Sequence, residues 1–144
     1  IWNRRGRENE VTKLVERLRR QVTRIGADIV IIDPIYKTYG DRETELPIDQ
    51  HMLLALVAPR AVAVGSADHD RTADPRGEFL STVHASPAWW LFGKRGLGNS
   101  EMPAIGSAVD GDGVHYHLRA GKHDLTLSDW ERYMDFAEKV FRGK

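Results

Sequence analysis

Between Asp28 and Pro34 the chain runs Ile29-Val-Ile-Ile32, four consecutive β-branched apolar residues with an aspartate at either end. A helix would spread such a run around its whole circumference and crowd every χ1, whereas a strand buries it on both faces. Strands of that kind belong to sheets covered on both sides, which restricts the fold to layered α/β. The neighbouring segments agree. Val11, Leu14, Val15, Leu18, Val22 and Ile25 recur at helical spacing and predict a helix over residues 8–25, with Gly26 as its C-cap. Asp49 to Val57 predicts a short helix that stops before Ala58-Pro59, and Ala61 to Val64 a second buried strand. Gly65 to Pro75 reads as loop, Arg76 to His84 as helix, and Gly113 to Leu118 as a third strand. Ser86 to Ile105 is rich in Gly and Pro, with Trp89, Trp90, Leu91 and Phe92 as its apolar anchor. Leu127 to Phe141 predicts an amphipathic helix, with Ser128 as N-cap and Glu131 completing a capping box. The expected architecture is a small parallel sheet of about three strands with covering helices, in one compact α/β domain over residues 1–144.

Charge and composition narrow the function classes. Lys and Arg total 21 against 21 Asp and Glu, which argues against a whole-chain nucleic-acid or membrane binder. The balance is uneven along the chain. Arg4, Arg5, Arg7, Lys13, Arg17, Arg19, Arg20 and Arg24 face only Glu8, Glu10 and Glu16, which gives the first helix a basic, solvated outer face. Cysteine is absent, which excludes disulfide scaffolds and thiolate metal sites. No run reaches the ~18–20 apolar residues of a membrane span. No signal peptide is visible and the first residue is Ile1, so a trimmed terminus is allowed and the compartment stays open.

A set of short stretches then points to a family. Leu46-Pro-Ile-Asp-Gln-His51, Leu56-Val-Ala-Pro-Arg60, Asp74-Pro-Arg-Gly-Glu-Phe79, Ala85-Ser-Pro87, Gly93-Lys-Arg-Gly-Leu-Gly98 and Tyr116-His-Leu-Arg-Ala-Gly-Lys-His-Asp124 occur in order. From about residue 42 onward the sequence resembles the bacterial glucuronoyl esterases, carbohydrate esterases that cleave lignin–glucuronate esters. The resemblance implies a partial α/β-hydrolase fold. It also implies that His123 is the catalytic histidine and Asp70 the acid that orients it, the roles of base and tautomer-fixing carboxylate in a hydrolytic triad. Glu78, within a matched stretch, and Trp89 and Trp90 are candidates for binding a carbohydrate ester. Two departures stand out. No Gly-x-Ser-x-Gly nucleophile elbow occurs anywhere, and Ser66, Ser100 and Ser107 read as loop residues. Thr72 stands where family members usually carry a tryptophan of the sugar site.

Residues 1–40 resemble something else. Trp2-Asn-Arg-Arg-Gly6, the basic helix and Asp28-Ile-Val-Ile-Ile-Asp-Pro-Ile-Tyr-Lys37 look like the Walker B region of RepA-type, RecA-fold ATPases, with Asp33 as a Mg²⁺ ligand. No phosphate-binding Gly-x-x-x-x-Gly-Lys-Ser/Thr loop accompanies them. The two resemblances meet near Tyr36–Arg42, which makes the chain an expected chimera, joined by recombination, design or misassembly of environmental DNA.

One alternative comes from the residues alone. His115 and His117 alternate on a strand and point to one face, a pattern that with Asp112, His123 or Asp124 could hold Zn²⁺ or Cu²⁺. The glucuronoyl esterases carry a histidine at the second position with no metal, so neither metal nor cofactor is expected. The leading expectation is a hydrolase-derived domain with weak or altered ester hydrolysis at His123–Asp70, acting on a small-molecule or carbohydrate ester. The other is a non-enzymatic, self-associating protein with relic catalytic residues. A homo-oligomer is expected because a short sheet leaves open edges.

Overall fold

The computed structural model describes residues 20, 29–32, 49–98 and 101–143. Four strands, β1 (Ile29–Ile32), β2 (Ala61–Ala67), β3 (Ser107–Asp110) and β4 (Val114–Arg119), form one sheet in the order β1-β2-β4-β3. β1, β2 and β4 run parallel and are the three expected strands. β3 adds an antiparallel edge beside β4, with Asp110 opposite His115 and Ser107 opposite Leu118. The expectation contained no β3, because Ser-Ala-Val-Asp between glycines carries no apolar alternation. Pairing with β4 defines it. Its exposed residues suit an edge, whereas every residue of β2 and β4 is buried, as central strands require.

The helices α1 (Gln50–Ala55), α2 (Pro75–Ala85), α3 (Pro87–Trp90) and α4 (Leu127–Arg142) cover the sheet. Strand periodicity sorts the side chains. Val62, Val64, Val114, Tyr116 and Leu118 fall on one face and pack with Leu54, Phe79 and Trp89 in the main core. Within it Phe79 meets Tyr116 edge-on, with ring centroids 5.1 Å apart. Ala61 and Ala63 fall on the other face and pack against Tyr133, Phe136 and Val140 of α4. That second face is lined by small residues on β2 for a reason. A Cβ at Gly65 would lie 2.3 Å from Tyr133 Oη and 2.6 Å from His117 Cε1, so the rings of α4 and β4 occupy the space a side chain would need.

Two local expectations need correction. The strand β2 continues through Gly65 and Ser66 to Ala67, because Gly65 is a packing notch and not a break. The cap of α4 is Thr126, with Asp129 reaching back to accept from Thr126 N at 2.7 Å and from Thr126 Oγ1 at 2.8 Å. Ser128 and Glu131 match the same motif but lie exposed, whereas Asp129 is buried by partners on β4.

Candidate active site

β2 and β4 are neighbours and parallel, so the loops that leave them emerge side by side at the carboxyl edge of the sheet, where open α/β folds place their ligands. The two loops are stitched together. Asp68 N donates to Arg119 O at 3.0 Å, His69 N to Gly121 O at 3.0 Å, and Gly121 N to Asp68 Oδ1 at 2.7 Å. Gly121 adopts φ +110°, a conformation that glycine reaches at little cost. Asp70 is fixed in turn, its N donating to Ala67 O at 3.0 Å and its Oδ1 accepting from Ala73 N at 3.2 Å. From this frame Asp70 Oδ2 meets His123 Nδ1 at 2.6 Å. An ionised Asp70 accepts only, so Nδ1 carries the proton and donates it, and Nε2 keeps its lone pair. The Asp70 side chain is 8 % exposed and that of His123 46 %, a buried carboxylate behind an imidazole open to solution. Such an imidazole can take a proton from a hydroxyl or a water and be steadied as imidazolium.

His69, Arg71, Thr72 and Lys122 surround the pair at the surface. Beneath it a narrow cavity is lined by Ser66, Glu78, Arg119 and Asp124, among others. Ser66 Oγ donates to Glu78 Oε2 at 2.6 Å, both residues buried. Ser66 is thus a strand residue of the cavity wall and no loop serine, Ser107 opens β3, and Ser100 lies outside the described residues. Glu78 lines the same cavity as His123 and is buried.

The tryptophans are placed elsewhere. Trp89 is fully buried in the main core, and its Nε1 donates to Arg60 O at 3.1 Å, just before β2 begins. A Cβ at Gly113, just before β4, would meet Trp89 Nε1 at 3.0 Å. Trp89 therefore sits at the amino ends of the strands whose carboxyl ends carry Asp70 and His123, about 20 Å away at ~3.3 Å per residue. Trp90, beside it on α3, is exposed and donates Nε1 to Arg95 O at 3.0 Å. The structure does not bring either tryptophan to the His123–Asp70 pair.

The strand histidines point to one face, as their spacing predicts, but into a closed set of partners. His115 Nδ1 faces Asp110 Oδ1 at 2.5 Å, His115 Nε2 faces His117 Nδ1 at 2.9 Å, and His117 Nε2 faces Asp129 Oδ1 at 2.9 Å. All four ring nitrogens are committed to protein groups, which leaves none for a metal ion. Among the described residues no other group of ligands has metal-binding geometry. Burial holds His117 down to about 4, against the hydrogen bond it donates to Asp129, which favours its charge. Burial also works against the Asp129 carboxylate, but the Thr126 backbone N–H, His117, the Thr126 hydroxyl and Arg119 together keep it below the usual carboxylate range. Asp110 is lowered far below that range, first by its hydrogen bond with His115 and, against its partial burial, by Lys139. Sequence reasoning missed Arg119 and Asp129. The signals were present: Arg119 shares the parity of His115 and His117 on β4, and Thr126-x-x-Asp129 is a capping pattern.

A parallel sheet that presents a carboxylate on one loop and a histidine on the next defines a domain of the α/β-hydrolase type. The chain belongs to the glucuronyl esterase family: the family model for glucuronyl esterases of fungi matches residues 7–93. That range takes in most of the segment for which an ATPase resemblance is expected, and Asp33 lies outside the described residues. Carbohydrate esterase MZ0003, from an unknown prokaryotic organism, is 44% identical over 108 residues, 75% of this chain and 25% of that protein. The glucuronoyl esterase of Solibacter usitatus is 55% identical with a TM-score of 0.64, over 73% of this chain and 26% of that one. A promiscuous esterase of carbohydrate esterase family fifteen, from a marine bacterial metagenome, is 46% identical with a TM-score of 0.63, over 72% and 26%. The chain spans about a quarter of the length of each of these relatives.

Proposed function

We propose that this chain carries a carboxylic ester hydrolysis site of the glucuronoyl esterase kind, reduced to its base and orienting acid. His123 is the base and Asp70 fixes its tautomer. The observation that supports this is the 2.6 Å His123–Asp70 contact on two loops tied to each other by backbone hydrogen bonds. The 144 residues contain no Gly-x-Ser-x-Gly elbow, so within them His123 Nε2 has water as its proton donor, and general-base catalysis of that kind contributes about 10²–10⁴-fold. The activity is accordingly weak, and the substrate is a small ester or a glucuronate ester of the class its relatives' names indicate. Hydrolysis of a methyl glucuronate ester and of an activated acetate ester, wild type beside His123→Ala, tests the reading. Turnover that disappears in the variant supports it. Equal rates in the two proteins overturn it.

A second reading is a self-associating protein in which the pair is a relic. The apolar side chains left exposed favour it, with Leu91 84%, Leu127 74% and Met134 65% accessible. Sedimentation at several concentrations, together with silence in the esterase assay, supports this second reading. The chimeric origin, with an ATPase-like segment over 1–40 joined to a hydrolase-like segment over 41–144, is a proposal that rests on the sequence alone.

A further inference from the structure

The loop that carries His123 is held from below. Arg119, the last residue of β4, donates Nη1 to Ala120 O at 3.2 Å and Nη2 to Asp124 O, so one guanidinium grips the turn on both sides of His123. Its Nε donates to Asp129 Oδ2 at 2.9 Å. Arg119 is 8% exposed and Asp129 3%, and charges so far from water persist only when paired and hydrogen-bonded. Asp129 is held by Thr126 and His117, His117 by His115, and His115 by Asp110, whose other oxygen takes Lys139. The described polar contacts thus run from the surface at Lys139 to the cavity under His123, which Arg119 and Asp129 both line.

We propose that Arg119 is the positioning residue of the His123 loop, and that the buried chain Asp110–His115–His117–Asp129 fixes Arg119 in place. The inference rests on the reading of His123 as the base, but it concerns where the ring is held and not what it hydrolyses. The proton inventory leaves two arrangements, which differ in the ring that carries the third proton, and burial selects between them. Three contacts join its four groups, and each needs one proton. Two neutral imidazoles between two carboxylates supply only two. All three become hydrogen bonds when His117 donates Nε2–H to Asp129, His115 donates Nε2–H to His117, and His115 donates Nδ1–H to Asp110. The third proton is then on His115, opposite the carboxylate that also takes Lys139, and His117 is neutral in the more buried position. Every donor has a single acceptor to point at. Asp129 cannot turn without breaking the contacts to His117, Arg119 and Thr126 together.

The test reads the ring, not turnover. In the full chain, labelled with ¹⁵N, the Nδ1–H resonance of His123 and the midpoint of its titration are followed by NMR in wild type, Arg119→Lys and Asp129→Asn. Asp70→Asn serves as the reference for a ring that has lost its direct partner. Arg119→Lys keeps the charge but not the fork that reaches two carbonyls. The expected result is a folded Arg119→Lys protein whose His123 midpoint moves toward that of Asp70→Asn by about half a pH unit, a threefold change in proton affinity. His115→Gln, at the remote end, is expected to move it the same way by less. An unmoved resonance and midpoint in folded Arg119→Lys and Asp129→Asn overturn the proposal. Loss of the whole fold in both variants and in His115→Gln also overturns it, since the chain would then belong to the core at large. If His123→Ala leaves ester hydrolysis unchanged while the ring shifts are seen, the esterase reading fails and the positioning role stands.

Discussion

His123 meets Asp70 at 2.6 Å on the loop that leaves β4, and His117 meets Asp129 at 2.9 Å on β4 itself. The two pairs share chemistry and differ in what is done with the second ring nitrogen. Nδ1 of His123 is engaged and the other nitrogen is left to a ring side chain that is 46% exposed. His117 spends both nitrogens inside the protein, on His115 and Asp129, and its side chain is fully buried. The lesson is that a histidine–aspartate contact by itself does not mark a reacting group. An imidazole with one nitrogen fixed and one available can move a proton to or from a solute. An imidazole with both fixed is a strut, and its carboxylate does the work of holding other groups.

The comparison can be broken most directly at the buried end. Asp129→Ala leaves the Arg119 guanidinium buried without its carboxylate and is expected to cost about 3–5 kcal/mol, measured by urea denaturation. A loss below about 1 kcal/mol would make the buried network ornamental. Next in size is the pH dependence. The folded state holds His117 at about 4, below its ordinary 6.5, so the unfolded chain binds more protons between those values. Stability is therefore full above pH 6.5 and is lost as pH falls toward 4, by about 3 kcal/mol in all. Asp110, lowered in the folded state, adds a loss of the same sign below its ordinary 3.8. Urea melts at a series of pH values check this, and a flat profile from pH 7 to 4.5 would sink it. Gly65→Ala comes third, at about 1–3 kcal/mol, because its Cβ must displace Tyr133 and His117. The smallest effect on stability is expected at the other pair: His123→Ala removes one hydrogen bond to the buried Asp70 and should cost about 1 kcal/mol while removing hydrolysis. A large loss of stability there would erase the distinction between the two histidines.

Much of this is legible in the amino-acid sequence. The β-branched run at Ile29–Ile32, the Ala61 run and the alternation after Gly113 identify the three parallel strands, and in β2 and β4 the trace follows from burial of every residue. His123 and Asp70 could be named only through family resemblance. Nothing in local pattern says that residues 53 positions apart will meet, since the register of β2 against β4 brings them together. The failures share a cause. β3, the extent of β2 through Gly65 and the cap at Thr126 are each decided by a partner distant in sequence, where local signals are weak or point two ways. Trp89 and Trp90 illustrate the same point from the other side. Adjacent letters suggest one aromatic platform, and the helix they occupy turns one ring into the core and the other into solvent.

Gly65 has a further meaning for anyone who would vary this protein. Its missing side chain is space already leased to the Tyr133 hydroxyl and the His117 ring, across three separate elements. Positions 65, 117 and 133 therefore behave as a single site under selection. A library randomised at 65 alone returns glycine. One randomised at all three admits a side chain at 65 only in members where a smaller residue has replaced one of the rings, and those that lose the His117 ring give up the strut that reaches Arg119.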